Sequence, residues 1–250
     1  MNVGRKISRP TFSVIIPTLD EEGEIAETVR RAKIALGPNV EIIIVDGGSQ
    51  DRTTQVIDQS AQVIPFASSR GEQLKRGAQE AHGTVLMFLH ADTWLEEEAG
   101  SVIHNALTSG IEAGCLEFAL RPVAHEKRYR LLERAVNWRT RRFLTATGDQ
   151  AVFITRTAYE QTGGIQEIPL FEDVAFVQEI RKIASFKPVN SRALTSRRRW
   201  EKDGFFRTLI THWTLRAAFH LGVDPHILDR IYRREIRGKN TTGGTRPRSA

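Results

Sequence analysis

The sequence holds a single cysteine, Cys115, in 250 residues. One thiol forms no internal disulfide and builds no cysteine-based zinc site, which suits a reducing compartment. Cys115 is read as a small buried filler. No stretch approaches the roughly 18 consecutive apolar residues that a bilayer-spanning helix needs. The short run Thr11–Pro17 follows a polar start too closely to be a signal-peptide core. The expected location is therefore the cytoplasm. There is no internal repeat and no Gly-x-x-x-x-Gly-Lys-Ser/Thr loop, and Asp46-Gly47-Gly48-Ser49 is too short for a dinucleotide fingerprint. P-loop NTPases and Rossmann dehydrogenases thus lose their main support. Ser49 and Ser69 lack the Gly-x-Ser-x-Gly context of a hydrolase. His82, His104, His125, His212, His220 and His226 show no metal-ligand spacing and are read as structural.

What is present describes a globular chain. Hydrophobic residues make up 40% and charged residues 26%, which excludes disordered and fibrous classes. The length allows one substantial core. The formal net charge is +6, and the excess lies in the second half. Basic residues gather between Arg121 and Arg142, again at Arg197–Arg199, and from Arg230 to Arg237. They fit either an anionic partner or a solvated face.

Residues 12–17 and Val40–Val45 are apolar runs that read as buried strands. Between them Ile25, Val29 and Ala32 fall at helical spacing, with Glu residues in front and Arg30, Arg31 and Lys33 behind. The alternation recurs. Thr53–Ala61 is expected to be helical, Gln62–Phe66 extended, Gly71–Ala81 helical, and Thr84–Leu89 a strand ending at His90. Such alternation predicts an α/β fold, a mostly parallel sheet with helices on both faces. Beyond residue 95 the expected elements are a helix at Glu96–Leu107, a strand at Cys115–Leu120 and a basic helix at Glu126–Phe143. Ala151–Tyr159 follows as a strand-helix unit, then helices at Phe171–Ala184 and Phe205–His220. Phe205, Leu209, Trp213 and Ala217 would form the apolar face of the last. That face is read as core packing, with docking on a membrane surface as the alternative. Residues 238–250, rich in Gly, Thr, Arg and Pro, are expected to be a disordered tail.

In an open parallel sheet, ligands bind at the carboxyl ends of the strands. Here those ends are polar: Thr18-Leu19-Asp20-Glu21-Glu22, Asp46-Gly47-Gly48-Ser49-Gln50-Asp51 and His90-Ala91-Asp92. A carboxylate there can hydrogen-bond a base imide or a ribose hydroxyl, and glycines let the backbone approach a ligand. Asp92 has the oxygen chemistry suited to Mg2+ or Mn2+ on a diphosphate.

Ser13-Val-Ile-Ile-Pro-Thr-Leu-Asp-Glu-Glu22, Val45-Asp-Gly-Gly-Ser-Gln-Asp-Arg-Thr53 and His90-Ala-Asp92, in that order, resemble the family 2 glycosyltransferases of the GT-A fold. Gly148-Asp-Gln-Ala-Val-Phe153, Gly163-Gly164, Glu172-Asp173 and Arg198-Arg199-Trp200 look like the acceptor half of that family, so the resemblance spans roughly residues 12–200. Gly-Asp-Gln, Ile-Pro-Leu-Phe-Glu-Asp173 and Arg-Arg-Trp most resemble the soluble subgroup associated with radical-SAM/selenodomain proteins and arsenosugar biosynthesis. The resemblance implies one GT-A domain over residues 1–237. Its nucleotide-binding half would run from about 12 to 110, its acceptor half from 111 to 200, and its C-terminal helices from 201 to 237.

Roles follow position by position from the resemblance. Pro17, Thr18 and Glu21 would line the nucleotide pocket, Asp46 would sit near the base or ribose, and Arg70 near the base or diphosphate. Asp92 corresponds to the metal-binding aspartate of the family's Asp-x-Asp motif. His90 stands in place of the first aspartate, and an imidazole can either ligate Mn2+ or accept a hydrogen bond. Asp173 resembles the catalytic aspartate that deprotonates the acceptor, with Glu172 beside it as the second catalytic candidate; the structural alternative for both is helix N-terminal capping. Arg198 and Arg199 would stabilise the leaving diphosphate, with Trp200 beside them; the alternative for Arg197–Arg199 is a solvated loop. The family's Gln-x-x-Arg-Trp reads Ser196-Arg-Arg-Arg-Trp200 here, which argues against a processive polysaccharide synthase. Trp94 and Trp138 could stack on sugar, but packing is the expectation for each.

The reading is an inverting, metal-dependent, hexosyltransferase-like enzyme. It would use a nucleotide-sugar donor, a UDP-sugar first among them, and a small or lipid-linked acceptor. Peripheral contact with an anionic membrane at the inner face stays open, and no nucleic acid is expected. Two alternatives stand beside it. A nucleotidyltransferase would need a basic Gly-rich loop after the first strand, where this chain has Asp20-Glu21-Glu22. A nucleic-acid-binding protein would draw on the basic clusters, yet nothing resembles a reading helix or an aromatic RNA platform.

Overall fold

Successive residues of the first strand enter different cores. In the computed structural model, which describes residues 11–121 and 126–237, β1 (Phe12–Thr18) is buried along its whole length. Val14 and Ile16 belong to one hydrophobic cluster and Ile15 to another, because neighbouring strand residues point to opposite faces. β2 (Val40–Asp46) repeats the division, with Ile42 and Ile44 on one side and Ile43 and Val45 on the other. A continuous apolar run is what a strand covered on both faces requires.

Between these strands lies α1 (Ile25–Leu36). Then come β3 (Gln62–Pro65), α2 (Arg70–Glu80), β4 (Val85–Phe88), β5 (Thr93–Leu95), α3 (Ala99–Thr108), β6 (Ala113–Arg121) and α4 (Lys127–Phe143). A 3-10 turn at Gly148–Gln150 leads into β7 (Val152–Thr155), α5 (Arg156–Gln161), α6 (Glu172–Ile183) and β8 (Phe186–Ser196). Three helices follow: α7 (Arg198–Asp203), α8 (Phe205–His220) and α9 (Pro225–Arg237). The eight strands form one sheet in the order β3-β2-β1-β4-β7-β6-β8-β5. β1 pairs parallel with β2 and β4, β2 with β3, and β6 with β8; β7 is antiparallel to β4 and β6, and β5 to β8. α1 and α3 pack into the cluster on one face, and α2, α5 and α6 into the cluster on the other. This is the mixed, doubly covered α/β sheet the sequence predicts. Cys115 lies fully buried in it, and burial pushes its thiol pKa up.

The described residues fall into two compact units. Residues up to Glu167, with Glu172–Arg197, form the first, which holds the whole sheet; Ile168–Phe171 and the residues from Arg198 onward form the second.

The structure corrects several expectations. Residues 53–61 are turns, not a helix. Asp51 Oδ1 accepts from the Thr53 amide (2.8 Å) and Asp58 Oδ1 from the Ser60 amide (2.8 Å), so side-chain oxygens take the donors a helix would use. β5 and β8 were not anticipated. Pro188 and Asn190 disguise β8, and the β6–β8 register shifts between Cys115 and Glu117, opposite that stretch. Arg198 and Arg199 start a helix rather than a loop, and both are solvent-exposed, as the solvated alternative expects. In α8 the buried residues are Thr208 and Leu215, and Trp213 is exposed; with Phe206 and Ile210 also apolar, helical spacing alone selects no single face. Trp138 is exposed rather than packed, meeting only the edge of Phe143 among the ring contacts. The expected tail at 238–250 and His125 lie outside the described residues.

α4 completes the free edge of β6, which pairs with β7 only at Ala113 and Gly114. Asn137 accepts from the Phe118 amide (2.8 Å) and donates to its carbonyl (2.9 Å), while Glu133 accepts from the Leu120 amide (2.8 Å). Backbone groups that no strand pairs are thus satisfied by a helix. Gly114 sits where β6 is pinned between β7 and β8. A Cβ there would lie 2.2 Å from the Lys187 carbonyl oxygen and 2.6 Å from Phe153 Cζ. Gly114→Ala is expected to cost about 2–3 kcal/mol, since the obstruction is backbone. A urea denaturation midpoint unchanged from wild type would refute that.

Candidate functional site

The carboxyl ends of β1, β2 and β4 are neighbours because these strands are parallel and adjacent. Thr18 lies opposite Asp46 in the register, and the Gly47 amide donates to the Thr18 carbonyl (2.8 Å). Pro17, Thr18 and Asp46 are buried. Asp46 Oδ2 accepts from the Gly48 and Ser49 amides (3.1 Å each), and the Ser49 hydroxyl donates to Oδ1 (2.5 Å). Asp46 therefore folds its own loop. Close approach favours glycine at 47: a Cβ there would meet Gln73 Nε2 at 2.5 Å and the Thr18 carbonyl at 3.2 Å.

The acidic residues after β1 fasten this loop to the one after β2. The Asp20 amide donates to Ser49 Oγ (3.0 Å), and Asp20 Oδ1 accepts from the Gln50 amide (2.8 Å). The Glu21 amide donates to Thr53 Oγ1 (2.7 Å), while Glu22 accepts from the amide and Nε of Arg52. Asp20 adopts a left-handed φ of 55°, which aspartate tolerates. The Glu21 carbonyl accepts from the Glu24 and Ile25 amides and so opens α1.

β7 runs antiparallel to β4 with Val152 opposite Phe88, which brings the Gly148–Gln150 turn beside His90. A Cβ on Gly148 would lie 2.2 Å from His90 Nε2, so the imidazole packs directly on that glycine. The Gly148 amide donates to Asp173 Oδ2 (2.7 Å). Three residues distant in sequence thereby meet. His90, Gly148, Glu172 and Asp173 line one pocket whose walls include Leu74, Phe88, Ile165 and Phe176. Gln150 is buried, donating to the Leu116 carbonyl and Thr140 Oγ1, and holds the turn rather than facing the pocket.

Asp173 Oδ1 also accepts from the Val174 amide. Glu172 is almost fully buried and pairs with the half-exposed Arg70 across 102 residues of sequence. Burial raises the Glu172 pKa, the Arg70 guanidinium opposes that rise, and the charge of Asp173 adds to it. Glu172 thus anchors Arg70.

Asp92 is half-buried in the turn after β4. Its carbonyl accepts from Arg121 Nη2 (2.9 Å) and from the Ser196 amide (3.1 Å). Arg121 also pairs with Glu24, donates to the Leu194 carbonyl (3.2 Å) and lies 3.6 Å above the Trp94 ring, whose other contact is Arg31 at 4.3 Å. Trp94 is thus engaged in a cation–π stack. In the sequence Arg121 reads only as part of a basic cluster, although it ends β6 at the same sheet edge as Asp92; the strand-end rule applied to that strand finds it. Gln73 carries no local signal, since its approach to Gly47 is long-range.

Among the described residues, no group of three or more His, Cys, Asp or Glu side chains is placed to hold a metal ion. A cation held by one carboxylate would need a ligand's phosphate oxygens to complete its shell, the usual manner for Mg2+. Arg198, Arg199 and Trp200 belong to the second unit. There Arg199 bonds the Tyr232 hydroxyl and lies over its ring, and Trp200 contacts the Phe205 and His212 rings.

Comparison with known proteins gives a consistent picture. The model for Glycosyl transferase family 2 matches residues 13–156. A dolichol-phosphate mannosyltransferase of Pyrococcus furiosus is 27% identical over 190 residues, covering 73% of this chain and 50% of that protein. An undecaprenyl-phosphate 4-deoxy-4-formamido-L-arabinose transferase of Pseudomonas fluorescens is 30% identical over 92 residues, 32% of this chain and 27% of that protein. The chain spans half or less of the length of these curated relatives. The mannosyltransferase PcManGT from Pyrobaculum calidifontis, solved with GDP-Man and Mn2+, superposes with a TM-score of 0.59 at 19% identity, covering 96% of this chain and 66% of that one. TarS 1–349 of S. aureus, solved with UDP-GlcNAc, gives 0.59 at 17% identity, covering 75% and 59%. These likenesses establish the fold as GT-A-like. With the family model spanning more than half of its residues, the chain belongs to glycosyl transferase family 2.

Proposed function

We propose that the chain transfers a sugar from a nucleoside-diphosphate donor to a hydroxyl acceptor, small or lipid-linked, by inverting displacement. The observation that carries this reading is the pocket in which Gly148 holds Asp173 Oδ2 beside His90, on the sheet edge that also carries Asp46 and Asp92. Asp173 takes the acceptor's proton as the acceptor oxygen bonds to the anomeric carbon; the bond from that carbon to the diphosphate breaks, and its electron pair leaves with the diphosphate. Attack from the face opposite the leaving group inverts the anomeric centre. Glu172 stays an ion-pair partner for Arg70, and Arg70 faces the base or diphosphate. The loops after β1 and β2, with Pro17, Thr18, Glu21 and Asp46, form the nucleotide wall.

Asp92 would hold Mg2+ or Mn2+, which supplies charge neutralisation on the diphosphate. The Mn2+ and nucleotide sugars in the solved relatives support this assignment. Arg198, Arg199 and Trp200 are assigned to the leaving diphosphate. The likeness of Gly148-Asp149-Gln150 and Arg198-Arg199-Trp200 to the radical-SAM-associated subgroup belongs to the same proposal.

Titration calorimetry against UDP and GDP, each with and without Mn2+, tests the donor half. UDP is expected to bind, and about tenfold more tightly with Mn2+. Absence of binding by either nucleotide under both conditions would overturn the reading.

A further inference from the structure

We propose that the second unit docks on an anionic lipid surface through the outward faces of α8 and α9. Half of the exposed large apolar residues among those described lie in this unit. On α8, Phe206, Ile210 and Trp213 follow helical spacing and are 70%, 62% and 62% exposed. Residues four and three apart share one side of a helix, so the three form a continuous stripe. Leu221, 85% exposed, and Val223 extend the apolar surface into the connection between the two helices. On α9, Ile227 and Ile231 are exposed, and Arg230 and Arg234 stand on the same side at spacings of three and four. Thr208, Leu215 and Leu228 are the side chains turned inward.

Charge identifies the occupant. Residues 198–250 carry 12 Lys and Arg against 5 Asp and Glu, whereas the preceding 197 carry 24 against 25. The whole net positive charge of the chain therefore lies in this stretch. A second copy of the same face would bring like charge against like charge, which disfavours self-association. An anionic bilayer supplies the complement to both features. Its surface attracts Lys and Arg, and its interfacial layer accepts tryptophan and aliphatic side chains from a helix lying flat. No described helix is long and apolar enough to cross the membrane, so the contact is peripheral. The side chains invoked are none of those assigned to the donor, and a lipid-docked unit favours the lipid-linked class of acceptor.

Sedimentation of the full chain with vesicles tests it. The chain is expected to pellet with phosphatidylcholine vesicles containing about 30% phosphatidylglycerol, less with pure phosphatidylcholine, and to be released by added salt. Phe206→Ser with Trp213→Ser, and separately Arg230→Gln with Arg234→Gln, should each weaken lipid binding by about tenfold or more. All four positions are exposed, so thermal stability and UDP binding should not change, and UDP calorimetry on the same variants reads the nucleotide site independently. Failure of the intact chain to pellet, equal binding to neutral and anionic vesicles, or undiminished binding by both double variants would overturn the proposal. So would a dimer in solution that dissociates when Phe206 and Trp213 are replaced.

Discussion

Asp173→Asn is expected to lower sugar transfer by about 10²–10⁴-fold, the range for removing a positioned general base, while leaving UDP affinity within about twofold. The two readouts separate because the amide keeps the shape of the carboxylate. Its oxygen can still accept from the Gly148 amide, now 2.7 Å from Oδ2, so the turn that carries His90's neighbour stays in place. What is lost is the second lone-pair-bearing oxygen and the negative charge, and with them the ability to take a proton. Turnover can be read as hydrolysis of whichever UDP- or GDP-sugar binds, with water standing in for the acceptor. A rate within threefold of wild type would remove Asp173 from the role of base. An equal fall in rate and UDP affinity would instead make it a donor-binding or structural residue, and helix capping would again explain it.

The Gly148 contact also shows why this pocket was only half legible in the sequence. Asp173 and His90 could each be singled out from neighbouring residues: one begins an acidic helix, the other ends a buried strand. Their meeting depends on β7 entering the sheet antiparallel to β4, and a four-residue strand carries no mark of its direction. The parallel half was easier. Apolar runs at β1, β2 and β4 and the helical spacing of α1 are local patterns, and tertiary contacts agree with them. Residues 53–61 show the opposite case, because two aspartates divert the backbone donors that a helix needs. β8 is hidden by its composition, since Pro188 removes a donor and the register shift lets it fit beside β6. The acidic run Asp20-Glu21-Glu22 was correctly located at the sheet edge. Much of its hydrogen bonding, however, goes into fastening two loops together.

Asp92→Ala is expected to remove the Mn2+-dependent gain in UDP affinity, and to lower Mn2+ affinity in the presence of UDP by about 100-fold. The Asp92 carbonyl accepts from Arg121 and from the Ser196 amide, and both of these bonds survive truncation of the side chain. Metal-free UDP binding therefore serves as the internal control and should stay near wild type. His90→Ala supplies the discriminating comparison. The His90 ring packs on Gly148 within the Asp173 pocket, so its loss should reduce turnover more than it reduces Mn2+ affinity. If His90→Ala weakens Mn2+ binding as much as Asp92→Ala does, the imidazole is a ligand and the cation is shared between the two side chains. If Asp92→Ala leaves the Mn2+ effect intact while turnover is normal, Asp92 holds no metal, and the diphosphate must be neutralised by the chain's arginines.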